Sequence, residues 1–263
     1  EERLAVTRVL FQWMEEAVGG SASQMGRSHP RHNHNTFPSL GCMYAGEYFS
    51  KYYDAGEGER WLAIADDTFG NQSKLFKPQE DCNGYQWLTL YHTMRYCLAR
   101  PDFTYFENGN ARRDADYAVM CMDNLAYSVT YGDTGAYVGW WSEMPFLYGA
   151  EWYYRDGRYS WATDRKRAVS GSLDTTWCAT DTEPEEPTDL IGARAFPLEP
   201  AYFDMYGGDE VMDLENAVDK VVFRDSFDPQ DQYLLLDCLN NGSHGHYDGN
   251  SISRMTDNGR IWL

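Results

Sequence analysis

Gly242-Ser243-His244-Gly245-His246-Tyr247-Asp248-Gly249-Asn250-Ser251 is where the reading of this chain begins. Two of its six histidines stand two residues apart, an acid follows, and small residues surround them. Successive strand residues point to opposite faces, so a strand here would put His244, His246 and Asp248 on one side. Three proton carriers or metal ligands would then share one space. The alternative is a glycine-rich hairpin whose histidines are solvated, the ordinary meaning of an isolated His-x-His. The rest of the chain has to decide.

Around this stretch the sequence reads as strands. Residues 220–224 and 232–237 are β-branched or apolar runs joined through Asp228-Pro229. Residues 249–256 and 259–263 form a further hairpin through Asp257-Asn258-Gly259. Upstream of the acidic loop 181–187 the periodicity is helical. Helices are predicted over 3–18, from Thr36-Phe37-Pro38 to about Tyr53, and over 58–69, 84–99, 110–129 and 140–154, with a polar loop at 21–35. Helix after helix with short connections fits a bundle, a solenoid or a toroid. The fold class is therefore α+β and multidomain, with sheet following helices from near residue 196.

The 263 residues allow one large domain or two unequal ones. A net charge of −19 argues against a general nucleic-acid binder, which needs a basic surface to release counterions. It leaves open an anionic ligand held in a locally positive cleft. The six cysteines are scattered without a C-x-x-C pair, which removes zinc-finger and thioredoxin readings. No run is long and apolar enough for a membrane span, and no signal peptide opens the chain. The first and last residues read as the middle of a longer polypeptide. Aromatic residues make up 16%, enough to line a cleft as well as a core.

The layout resembles the heparinase II/III-like polysaccharide lyases, with the related alginate lyases and dermatan sulfate epimerases. Three anchors carry the resemblance: Gly242–Leu263, similar to a Gly-His-x-His-x-Asp-x-Asn-Ser run followed by strands; Asn33-His34 before a helix; and Asn83-Gly84-Tyr85 leading to Tyr91. Tyr91 follows His34 by 57 positions, about the separation the family shows. Where the family carries Glu-Gly before its catalytic tyrosine, this chain has Trp87-Leu88-Thr89, so Tyr91 is chosen with Tyr85 as the other candidate. The resemblance implies an incomplete α/α toroid over residues 1–195, the catalytic domain without its N-terminal part. It implies the beginning of an antiparallel β-sandwich over 196–263, cut short at its end. It also implies a secreted, periplasmic or extracellular protein.

By the same resemblance the chain would cleave a uronic-acid-containing anionic polysaccharide by β-elimination. The C5 proton of a uronate is weakly acidic because its removal adds charge beside a carboxylate, so donors must first neutralise that carboxylate. Asn33 and His34 would do so. Tyr91 would be general acid and base, which a tyrosine can be when its pKa falls toward neutrality. Whether His92 or Arg95 supplies the charge for that depends on which way the helix turns them. His244 would be a second proton carrier. His246 would bind one divalent ion bracing the cleft, zinc before calcium or manganese, with its other ligands absent from the chain. Trp140 or Trp141 would stack on sugar rings. For Asn33 and Asn35 the competing reading is an ordinary helix N-cap. Two further functions compete: a uronate C5-epimerase using the same residues, and a non-catalytic carbohydrate-binding or extracellular structural protein. The oligomeric state stays open.

Overall fold

The structure is a computed structural model that describes residues 1–20, 27–132, 143–170, 180–199, 217–239 and 249–263. The helices are α1 (Glu2–Gly19), α2 (Asn33–Tyr53), α3 (Glu57–Gln72), α4 (Tyr85–Ala99), α5 (Thr104–Glu107), α6 (Asn110–Met120), α7 (Met144–Tyr154) and α8 (Gly157–Ser170). The strands are β1 (Gly192–Pro197), β2 (Val218–Arg224), β3 (Tyr233–Asp237), β4 (Ser251–Asp257) and β5 (Arg260–Ile261). They form one antiparallel sheet in the order β1-β2-β3-β4-β5.

The helical core is aromatic. Trp87, Tyr105, Tyr117 and Phe146 are buried together, with ring centroids about the trio Trp87, Tyr117 and Phe146 at 5.9–6.0 Å. Such tilted contacts add to the large apolar area each ring removes from water. Helix α1 meets this core along one side, through Phe11, Met14 and Val18. Its Leu4, Val6, Val9, Leu10 and Trp13 are exposed, while Phe11 reaches Phe49 of α2 and Trp61 of α3 at 5.2 Å.

Where a helix was expected over 110–129, α6 ends at Met120. The Asp123 carboxylate accepts the backbone N–H groups of Leu125 and Tyr127 at 2.9 and 3.0 Å, and Met122 bridges Ser128. A side chain that offers the backbone a local turn outcompetes helix propagation. Helix α8 and strand β1 carried too little periodicity to be read in advance. The hairpin β4–β5 is where it was expected. Asn258 and Gly259 take φ of 51° and 69°, as the turn that matches strand twist requires.

The face of the sheet toward the helices mixes charged and apolar side chains, and the opposite face is apolar. Lys220, Val222, Arg224, Tyr233, Leu235, Asp237, Arg254 and Thr256 are buried against the helical layer. Val221, Phe223, Leu234, Leu236, Ile252 and Met255 form paired rows on the opposite face. Asp219 breaks the alternation. Between Phe196/Lys220 and Pro197/Val218 it is the extra residue of a bulge, which turns its carboxylate toward the helices.

There Asp219 joins a buried charge cluster. Lys77 pairs with Asp81 and Asp219, both at 2.5 Å, and Lys220 pairs with Asp219, Asp237 and Asp81 at 2.6, 2.9 and 3.0 Å. All five side chains are fully buried. Burial draws the lysine pKa values down, but the facing aspartates outweigh it and hold both ammonium groups charged. Tyr131 lies under Lys220 at 4.4 Å. Next to it Gly132 has φ of 68°, and a Cβ there would come within 2.6 Å of the Asp81 carbonyl. The loop from Lys77 to Asn83 thus ties the helical layer to the sheet.

Candidate active site

Helix α2 starts at Asn33 without a capping bond from its N-cap side chain, His32. Its first N–H is satisfied from a distance. Glu80 Oε2 accepts the Asn33 backbone N–H, and Glu80 Oε1 accepts an Asn33 Nδ2 hydrogen, both at 3.0 Å. The Glu80 N–H donates to the Arg31 carbonyl at 2.8 Å. Asn33 is therefore neither a solvated loop residue nor a local N-cap. It is buried, and its amide is oriented by a carboxylate 47 positions away. Asn35 is occupied differently, its Oδ1 accepting the Arg31 N–H at 3.1 Å.

His34, the next residue, is exposed, with its ring set edgewise to His32 at 5.1 Å. Pro38 sits inside the helix and has no N–H, so the His34 carbonyl loses its i+4 donor. The first turn of α2 then meets α4. Thr36 Oγ1 lies 2.9 Å from His92 Nδ1, and Phe37 packs edgewise on the His92 ring at 4.2 Å. His92 is buried, and burial first, then the charge of Arg95, lowers its pKa to about 4. A neutral imidazole is what this site can hold.

Tyr91, one residue earlier on α4, is half-buried. Arg95, one turn later, lies 5.6 Å from the Tyr91 ring centroid and donates to the Tyr44 hydroxyl at 2.8 Å. The helix therefore turns Arg95 toward Tyr91 and His92 away from solvent. Tyr85, the other candidate tyrosine, is the first residue of α4, and Gly84 before it takes φ of 109°. That backbone conformation suits glycine far better than other residues.

The structure thus brings the Asn33–Phe37 turn against the turn of α4 that carries Tyr91. His244, His246, Asp248, Trp140 and Trp141 lie outside the described residues. The partners that sequence reasoning did not assign are Glu80 and Thr36. Glu80 lies in a nonperiodic loop, Pro78-Gln79-Glu80-Asp81, with no local pattern that points to α2.

Among the described residues the carboxylates of Asp81, Asp219 and Asp237 have oxygens within 4.8 Å of one another. The ammonium groups of Lys77 and Lys220 already pair with those carboxylates, so the cluster suits lysine rather than a metal ion.

No protein-family model matches the chain, and no curated protein matches it by sequence. Among solved structures the chain is similar to heparinase III, with a TM-score of 0.52 and 11% identity. The likeness covers 89% of this chain and 34% of that one, so the chain spans about a third of the length of the protein it matches. At that identity the likeness establishes a shared fold: helices followed by an antiparallel sheet.

Proposed function

We propose that this chain carries the catalytic face of a lyase that cleaves a uronic-acid-containing anionic polysaccharide by β-elimination. The observation that carries the reading is the Thr36–His92 contact at 2.9 Å, which sets the Asn33-His34 turn beside the turn bearing Tyr91. The fold likeness to heparinase III supports it.

In this reading Asn33, held by Glu80, and His34 donate hydrogen bonds to the uronate carboxylate as charge develops on it. Tyr91 exchanges protons at C5 and at the glycosidic oxygen, with His244 as the second proton carrier. Loss of the C5 proton forms the C4–C5 double bond, and the C4–oxygen bond breaks as that oxygen is protonated. Trp140 and Trp141 offer stacking faces for the sugar rings. His246 would hold a divalent ion, zinc before calcium or manganese, that braces the cleft, and no step passes through it. The helices then belong to an α/α toroid, and the sheet, which begins with β1 at Gly192 rather than at 196, to one layer of a β-sandwich. An extracellular or periplasmic location follows from the substrate class.

The test incubates the protein with alginate, heparan, chondroitin, dermatan and ulvan and follows ultraviolet absorbance of the unsaturated product. A rise with at least one polymer is expected. Solvent deuterium entering the uronate without any rise would replace the lyase with an epimerase, and neither signal would leave a binding protein.

A further inference from the structure

Along α2 the residues His34, Phe37, Gly41 and Tyr44 recur at helical spacing and share one face. Phe37 is 51% exposed and Tyr44 42%, although both are large aromatics. Between them Gly41 leaves a gap, and a Cβ built on it would meet nothing within 4 Å. Glycine in a helix interior costs about 1 kcal/mol relative to alanine. Aromatic, gap, aromatic is the relief that a sugar ring needs to lie flat against a helix.

Arg95 of α4 stands at the Tyr44 end of this relief. It donates to the Tyr44 hydroxyl at 2.8 Å, and its guanidinium lies 5.4 Å from the Tyr44 ring centroid and 5.6 Å from that of Tyr91. Among the described residues it pairs with no carboxylate, whereas Arg100 in the following turn pairs with Glu47 and Asp66. In a chain of net charge −19, this is a half-buried cation with its remaining donors uncommitted. Guanidinium presents five N–H donors in a fork that matches a carboxylate or a sulfate.

We propose that Arg95, braced by Tyr44 and Tyr91, is a subsite for an oxyanion group on a sugar lying over Gly41, further along the polymer than the residue held at Asn33 and His34. The subsite rests on the lyase reading for its place relative to the reacting sugar. It makes that reading specific: the substrate carries acidic groups on more than the reacting sugar.

Isothermal titration calorimetry tests it with length-matched oligosaccharides: alginate for carboxylate alone, heparin-derived for carboxylate with sulfate, and cello-oligosaccharide as the neutral probe. The wild type is expected to bind at least one acidic oligosaccharide and not the neutral one. Arg95→Ala should weaken that binding roughly tenfold to a hundredfold, as loss of a charge-assisted pair does, with Arg95→Lys recovering part of it. Gly41→Leu, which fills the gap from an open helix face, should weaken every acidic ligand while the circular dichroism spectrum is unchanged. Alginate and heparin arms separate the two oxyanions. On turnover, Arg95→Ala should raise KM. Binding by Arg95→Ala within twofold of wild type, equal binding of the neutral probe, or no acidic binding at all would overturn the subsite. Arg95-dependent binding without unsaturated product would remove the lyase and keep the subsite. Product formation unaffected by Arg95→Ala would do the reverse.

Discussion

At Asn33 the backbone N–H and the side-chain amide make two demands of one carboxylate, and Glu80 meets both. Glutamine in place of Glu80 has a single acceptor oxygen, so one Asn33 donor loses its partner in a buried site. Glu80→Gln should therefore destabilise the fold by about 1–3 kcal/mol in urea unfolding and lower any turnover that depends on the Asn33 amide. A variant as stable as wild type would show that the carboxylate is not needed there. His92 gives a pH signature. Its pKa is about 4 in the folded protein against 6.5 for the free side chain. Between these values the unfolded chain binds the extra proton, so stability falls as pH drops from about 6.5 toward 4. The loss is at most about 3 kcal/mol. Asp237, which burial pushes up to about 6, works oppositely, losing stability as pH rises through its window. The comparison is therefore wild type minus His92→Gln, which should narrow as pH falls; parallel curves in denaturant titrations would contradict a buried neutral imidazole. Asn33, His34 and Tyr91 were visible as residues in the sequence, but their partners were not. Glu80 and Thr36 reach their partners 47 and 56 positions away, and no local spacing encodes such a contact.

Elements were legible where one local rule decides them. The Asp257-Asn258-Gly259 turn fixes β4–β5, since its backbone needs positive φ that asparagine and glycine tolerate. The end of α6 was not legible, because Asp123 acts through hydrogen bonds to Leu125 and Tyr127 that a periodicity count ignores. Nor was the charge cluster, whose members come from a loop, a bulge and two strands. In that cluster three carboxylates face two ammonium groups, and Asp237 keeps one oxygen without a hydrogen-bond partner. Removing a lysine leaves buried charge uncompensated, so Lys77→Met should cost about 3–5 kcal/mol. Asp237→Asn equalises the charges and should be milder at pH 7, while flattening the pH dependence between 3.8 and 6. Equal losses from the two variants would show that the charge balance of the cluster is not what stabilises the junction.

For the whole molecule, the joint between helices and sheet is polar inside and the sheet is apolar outside. Phe223 and Ile252 are exposed on that outer face, paired through Leu234 and Leu236 with Met255 and Val221. No helix among the described residues is long and apolar enough to cross a membrane. The most direct measurement of the central claim is a paired assay of wild type and Tyr91→Phe. On whichever polymer gives unsaturated product, the variant should lose roughly a hundredfold or more of its kcat while its calorimetric affinity for that polymer stays within a few-fold of wild type. Turnover by Tyr91→Phe equal to wild type would contradict the account, because the turn that α2 and α4 build around this tyrosine would then have no part in the chemistry.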